Sequence, residues 1–228
     1  MTSLDSATYV VPDHGFGVIH NLPVGDVSPE IFSGLLESTA TEDGYLSAEL
    51  GPRTAEEGFA VRIDDSLVGH LSAADSQAYA LFDWILSAGL HPRATAHVSM
   101  TNAAGEEWPT LNLLLPAPHL CIPANNPPAG PWTMLGYAPP IDITDLPADL
   151  DIPAQARMHL LVTLSPSTTG SGTDAYLGPQ FVGRLEGVDV AKQGTTLAHA
   201  YHAPRSTGRV LSIYAGEPLP DSEEASLA

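Results

Sequence analysis

The sequence predicts a mainly β protein with some α structure (α+β), built as two small β-barrel units, the first with one long helix. Three observations lead there. Residues 57–71 hold two short apolar runs, Phe59-Ala60-Val61-Arg62-Ile63 and Leu67-Val68-Gly69-His70-Leu71, around the polar turn Asp64-Asp65-Ser66. A helix start follows at Ser72, so the stretch reads as a β-hairpin feeding a helix. A weaker copy returns at Asp174-Ala175-Tyr176-Leu177, Gly178-Pro179 and Phe181-Val182-Gly183-Arg184-Leu185. The two lie about 114 positions apart, a self-similarity that signals duplication. Finally, 21 prolines and 20 glycines in 228 residues favour many short segments over long helices.

Taken in order, Tyr9-Val10-Val11 and Val18-Ile19 are short β-prone runs on either side of a Gly15-Phe16-Gly17 turn. Ser28-Pro29-Glu30 is a helix start, with a capping hydroxyl, a proline at the first helical position and an early acid. Ile31, Phe32, Leu35 and Leu36 supply its apolar stripe. Residues 45–50 form a strand with Leu46, Ala48 and Leu50 on one side. After the hairpin, Ser72 caps the long helix, with Asp75 at the capping-box position. Ala78, Leu81, Phe82 and Ile85 share its core face, and Gly89 is its left-handed stop.

Residues 94–100 alternate, with Ala94, Ala96, Val98 and Met100 facing one way and Thr95, His97 and Ser99 the other. A turn leads to a partner strand in which Leu111, Leu113 and Leu115 share a face. From 116 to 156 the chain is rich in proline, a connector composition. It also carries Trp132, Met134, Leu135 and Tyr137, which are too apolar for a free tether. Residues 158–164 open the second unit as an uninterrupted strand. Ala96-His97 echoes Ala198-His199, and Leu111-Asn112-Leu113 echoes Leu211-Ser212-Ile213. The second unit lacks length for a helix at 186–195. The resulting division is an N-terminal addition (1–44), a first barrel (45–115), a connector (116–156), a second, degenerate barrel (157–216) and an acidic disordered tail (217–228).

Eight Lys and Arg against 27 Asp and Glu leave a formal charge of −19. Nucleic-acid affinity rests on cationic side chains that displace counterions from phosphate, so this balance disfavours it without excluding it. The single Cys121 rules out an intrachain disulfide and cysteine-based zinc sites. The first residues have no basic and apolar leader pattern, and no apolar run is long enough to span a bilayer. A cytoplasmic protein without membrane contact is the expectation.

The first unit resembles the HIRAN domain, a small SH3-like β-barrel module. The resemblance rests on the order of a strand, a loop with Pro52 and Glu57, then Ala60-Val61 and Ile63, a turn, Val68-Gly69-His70-Leu71 and a capped helix. It covers about a third of the chain, and the second unit only faintly. The resemblance implies a pocket for the 3′ end of single-stranded DNA, where an aspartate of the family binds the terminal hydroxyl. Glu57 stands at that position, and Phe59 replaces the family's asparagine. Tyr9, Phe16 and Tyr45 are the candidates for its stacking aromatics.

No Gly-x-Ser-x-Gly elbow, His-Glu-x-x-His pair or Walker loop is present, so no enzyme class is indicated. His199 and His202 lie three apart on a strand and face opposite ways, which argues against a metal site, and no cofactor is expected. Trp84 and Trp108 are assigned to the core. The candidate ligand-binding residues are Glu57, Arg62, His70 and Tyr45. The expected function is non-catalytic recognition of a protein partner or small ligand, with single-stranded DNA 3′ ends as the alternative.

Overall fold

The computed structural model describes residues 8–12, 15–39, 44–54, 56–103, 106–129, 132–168, 170–190, 194–206 and 208–217. The tail expected at 217–228 lies outside them except for Glu217. The chain divides into two compact units, Met1–Cys121 and Ile122–Ala228.

The first unit contains β1 (Thr8–Val10), β2 (Ile19–Gly25), α1 (Pro29–Ser38), β3 (Tyr45–Arg53), β4 (Phe59–Ile63), β5 (Ser66–Leu71), α2 (Ala73–Ala78), α3 (Leu81–Ser87), β6 (His91–Ala103) and β7 (Glu106–Pro116). Neighbours run β6-β3-β4-β5-β2-β7 and return to β6, so six strands close a barrel and β1 lies parallel to the start of β6. The stretch read from sequence as an N-terminal addition therefore supplies β2, which bridges β5 and β7 and completes the closure. Asp64 and Asp65 both adopt positive φ, as a tight two-residue hairpin turn requires. The alternation on β6 and β7 places Ala94, Ala96, Val98, Leu111, Leu113 and Leu115 inside.

The single long helix is two short ones. Ser76, Tyr79, Phe82 and Ile85 are all buried. A straight helix would carry each third residue about 60° further round, so four such positions would span half its circumference. The chain breaks at Tyr79–Ala80 and restarts, which keeps all four on the barrel side. Tyr79 stacks on Phe82, and its hydroxyl donates to the Pro116 carbonyl at 2.9 Å. Trp84 and Trp108 correct the sequence reading in another way, being 59% and 53% exposed. Trp84 sits on the outer side of α3, and Trp108 on the outer face of β7 opposite Thr101.

The second unit contains β8 (Trp132–Met134), β9 (Ile141–Ile143), β10 (Met158–Pro166), β11 (Thr173–Leu177), β12 (Gln180–Leu185), β13 (Thr195–Arg205) and β14 (Gly208–Tyr214). Its order is β12-β11-β10-β13-β14-β9, with β8 parallel to the start of β13. Among the described residues β9 and β12 are not paired, which leaves a half-barrel. The stretch read as a connector thus provides two of its strands.

Apart from β2–β5, whose counterpart β9–β12 is not paired among the described residues, the pairings of the two units correspond, β1–β7 with β8–β14. Leu50 opposite Val61 matches Leu164 opposite Ala175, and Val61 opposite Gly69 matches Ala175 opposite Gly183. Both hairpins shift register just after these residues. Ala96 opposite Leu113 matches Ala200 opposite Ile213. In this register Thr95 corresponds to His199 and His97 to Tyr201, so the echo of Ala96-His97 in Ala198-His199 is out of step by two residues. The glycine of the Val-Gly-x-Leu motif has one task in both units. A Cβ on Gly69 would lie 2.2 Å from the Gly25 carbonyl on β2, and one on Gly183 would lie 2.5 Å from Ile143 on β9.

Candidate functional site

A cleft of about 560 Å³ opens in the first unit, lined by Arg53, Thr54, Glu57, Ala73, Ser76, Gln77 and Asp83. Its floor is built where β3 ends, β4 begins and α2 starts. The Thr54 hydroxyl accepts the Glu57 N–H at 2.9 Å, and the Thr54 N–H donates to the Glu57 carbonyl at 3.1 Å. This pins a short loop that projects the Glu57 side chain. Gly58 must follow, because a Cβ there would lie 2.0 Å from the Leu71 carbonyl. Ser76 is buried, and its hydroxyl accepts the Phe59 N–H at 2.9 Å, tying α2 to β4. Ser72 caps α2 by accepting the Asp75 N–H.

Arg53 dominates the electrostatics. Its Nη2 and Nε donate to Asp83 Oδ2 at 2.6 and 3.0 Å, and Nε also lies 3.2 Å from Oδ1. Nη1 donates to the Ser76 carbonyl at 3.2 Å and to Gln77 Oε1 at 3.4 Å, and the guanidinium lies 5.4 Å from the Phe59 ring centre. The fork is therefore committed to protein acceptors, with its charge offset by Asp83. The Glu57 side chain is 60% exposed, and its carboxylate lies 3.7 Å from His70 Nε2. The lining carries two carboxylates against one guanidinium, which suits a hydrogen-bond donor or a cation better than a phosphate.

Of the residues proposed from sequence, Glu57 lines this cleft, and His70 does not line it but lies 3.7 Å from the Glu57 carboxylate. Arg62 and Tyr45 do not line it. Arg62 lies on the outer face of β4 and donates to the Asp65 carbonyl at 2.9 Å, tying down the hairpin turn. Tyr45, at the start of β3, packs against His97 with ring centres 4.7 Å apart and planes tilted by 30°. Of the two other stacking candidates, Phe16 is fully buried and the Tyr9 hydroxyl donates to the Cys121 carbonyl. The sequence reading missed Arg53, Ser76, Gln77 and Asp83. Asp83 within the apolar run of α3 was the available signal; Ser76 stands between Asp75 and Gln77 and carried none.

The second unit has a buried polar cluster. His159 Nε2 and His199 Nδ1 are 2.8 Å apart, and Tyr137 stacks on His199 with ring centres at 4.8 Å. Burial pushes the His199 imidazole down to about 4, so it is neutral at pH 7. His202 points the other way, to the Ala156 carbonyl. Cys121 is buried, and burial pushes its thiol pKa up, away from nucleophilic reactivity. Among the described residues no group of three His, Cys, Asp or Glu converges as a metal site, and no helix is long and apolar enough to cross a membrane. No family model, curated protein or solved structure matches the chain.

Proposed function

We propose that this chain is a non-catalytic binding protein whose first barrel takes a small ligand, or a side chain of a protein partner, in the Arg53–Glu57 cleft. The commitment of Arg53 to Asp83 carries this reading. With that cation spoken for, the exposed Glu57 carboxylate is the group left to bind, and it favours a protonated amine or another donor. Calorimetry with lysine- and arginine-containing tripeptides tests it. Glu57→Gln should weaken binding by about 1.5–3 kcal/mol, the scale of a hydrogen bond to a charged group. Equal affinity for wild type and Glu57→Gln contradicts the reading.

The HIRAN resemblance keeps a second reading in play, supported by the same carboxylate: recognition of a single-stranded DNA 3′ hydroxyl by Glu57. Against it stand the charge of −19 and the engaged state of Arg53. The matching pairings, bulges and motif glycines of the two units support descent of both HIRAN-like barrels from one by duplication. On that reading the second barrel has lost the helices and with them the cleft.

A further inference from the structure

His70 stands beside the cleft, on β5, opposite Ala60 of β4 on one side and Gly25 of β2 on the other. Neither neighbour has a side chain beyond Cβ, so the half-buried imidazole has room to reach the loop before β4. There its Nε2 lies 3.7 Å from Glu57 Oε2. The other charged groups on the elements around it are engaged or of the wrong sign to compete. Arg62 of β4 donates to the Asp65 carbonyl, Asp75 of α2 accepts the Ser72 hydroxyl, and Arg53 pairs with Asp83. Glu56 on the loop and Asp26 past the end of β2 add only negative charge.

The second barrel has a fixed form of this pair. With Val61 and Gly69 matched to Ala175 and Gly183, Ala60 corresponds to Asp174 and His70 to Arg184. Arg184 Nε donates to Asp174 Oδ1 at 2.8 Å, and Asp174 is buried. A guanidinium keeps its charge at any physiological pH, so that carboxylate is held permanently. In the first barrel the same strand position carries an imidazole, and histidine is the side chain that ordinarily gains charge between pH 8 and 5.

We propose, resting on Glu57 as the binding group of the cleft, that His70 makes the cleft pH-sensitive. Neutral, His70 leaves the Glu57 carboxylate to an amine ligand; protonated, it pairs with Glu57 and competes with that ligand. The sign follows from charge. An imidazolium offsets the negative potential at Glu57 and repels a second cation on the same carboxylate, and both effects weaken an ammonium ligand. The Glu57 side chain is exposed, so solvent limits the competition to about threefold to fivefold in affinity, the upper range for exposed ion pairs.

The test is calorimetry of the full chain with N-acetyl-Gly-Lys-Gly-amide at pH 7.5 and 5.5 and low salt. Blocked termini leave the lysine ammonium as the titratable group of the peptide, and lysines and carboxylates ordinarily stay charged across this range. Wild type should bind about threefold to fivefold more weakly at pH 5.5. His70→Gln should bind with the same affinity at both values. His70→Arg, which copies the second barrel, should bind weakly at both. Circular dichroism checks the fold of each variant, and either one alone decides the matter. Equal wild-type affinity at the two pH values overturns the proposal and leaves the cleft reading standing. So does a pH dependence that persists in His70→Gln, or undiminished affinity of His70→Arg at pH 7.5. Absence of binding at both pH values overturns the cleft reading and the pH dependence with it.

Discussion

The motif glycines set up a paired perturbation with unequal outcomes. In Gly69→Ala the new Cβ meets backbone, the Gly25 carbonyl at 2.2 Å, and Val24 Cγ1 at 2.9 Å. The carbonyl must retreat by roughly 1 Å to reach ordinary contact, which pulls β2 from β5 where only Val24–Leu71 and Gly25–His70 hold them together. Overpacking of this kind costs about 1–3 kcal/mol, and a weakened ladder bond adds about 1 kcal/mol. The gain from restricting the unfolded chain offsets about 0.4–1 kcal/mol, so the net loss is about 1–3.5 kcal/mol. In Gly183→Ala the obstacle is the Ile143 side chain, with Cδ1 at 2.5 Å. A rotamer adjustment costs about 0.5–1.5 kcal/mol, and the same unfolded-state gain brings the net to between about −0.5 and 1 kcal/mol. Hydrogen exchange read by mass spectrometry on β5 and β12 peptides measures each unit separately, where a global melt would blend them. Equal losses at the two glycines, or a loss at Gly69 below about 0.5 kcal/mol, would refute the claim that this glycine admits β2 to the barrel.

Two further outcomes follow from the cores. Phe82 is fully buried against Phe59 and Tyr79, so Phe82→Ala should cost the first unit about 3–5 kcal/mol in chemical denaturation; a shift under about 1 kcal/mol would show that the site collapses around the deletion. His199 is held neutral in the fold and titrates near 6.5 when unfolded, so the unfolded chain binds more protons between those values. Stability of the second unit should fall as pH drops from about 6.5 to about 4, by on the order of 3 kcal/mol in all, and His199→Gln should flatten that slope; an unchanged slope contradicts it.

The hairpin was legible because its signals are local: two apolar runs, an Asp-Asp turn and the capping serine lie within sixteen residues of sequence (57–72). The motif glycines were visible, but their reason was not, since Gly69 answers to Gly25 and Gly183 to Ile143, partners remote in sequence. The closing strand β2 was hidden for the same cause. His20-Asn21-Leu22-Pro23 has weak strand character by itself and becomes a strand by pairing with β7. The helix break escaped because apolar spacing of three and four residues fits one helix locally, and only the tally of buried positions rejects it. In the cleft, Glu57 comes from the loop before the hairpin, and its neighbour His70 from the hairpin itself. Arg53 and Asp83 meet across thirty positions, a pairing no spacing rule contains.

The function turns on which ligand class reaches Glu57. The direct measurement is a pair of titrations of the ¹⁵N-labelled full chain at low salt, one with a lysine-containing tripeptide and one with a short hydroxyl-ended single strand, read at the amides of Thr54, Glu57, Ser76 and Gln77. The cleft as built predicts that the peptide moves these amides, that the strand does not, and that Glu57→Gln removes the peptide response. Shifts caused by the strand alone, dependent on its free 3′ hydroxyl and abolished by Glu57→Gln, would contradict it.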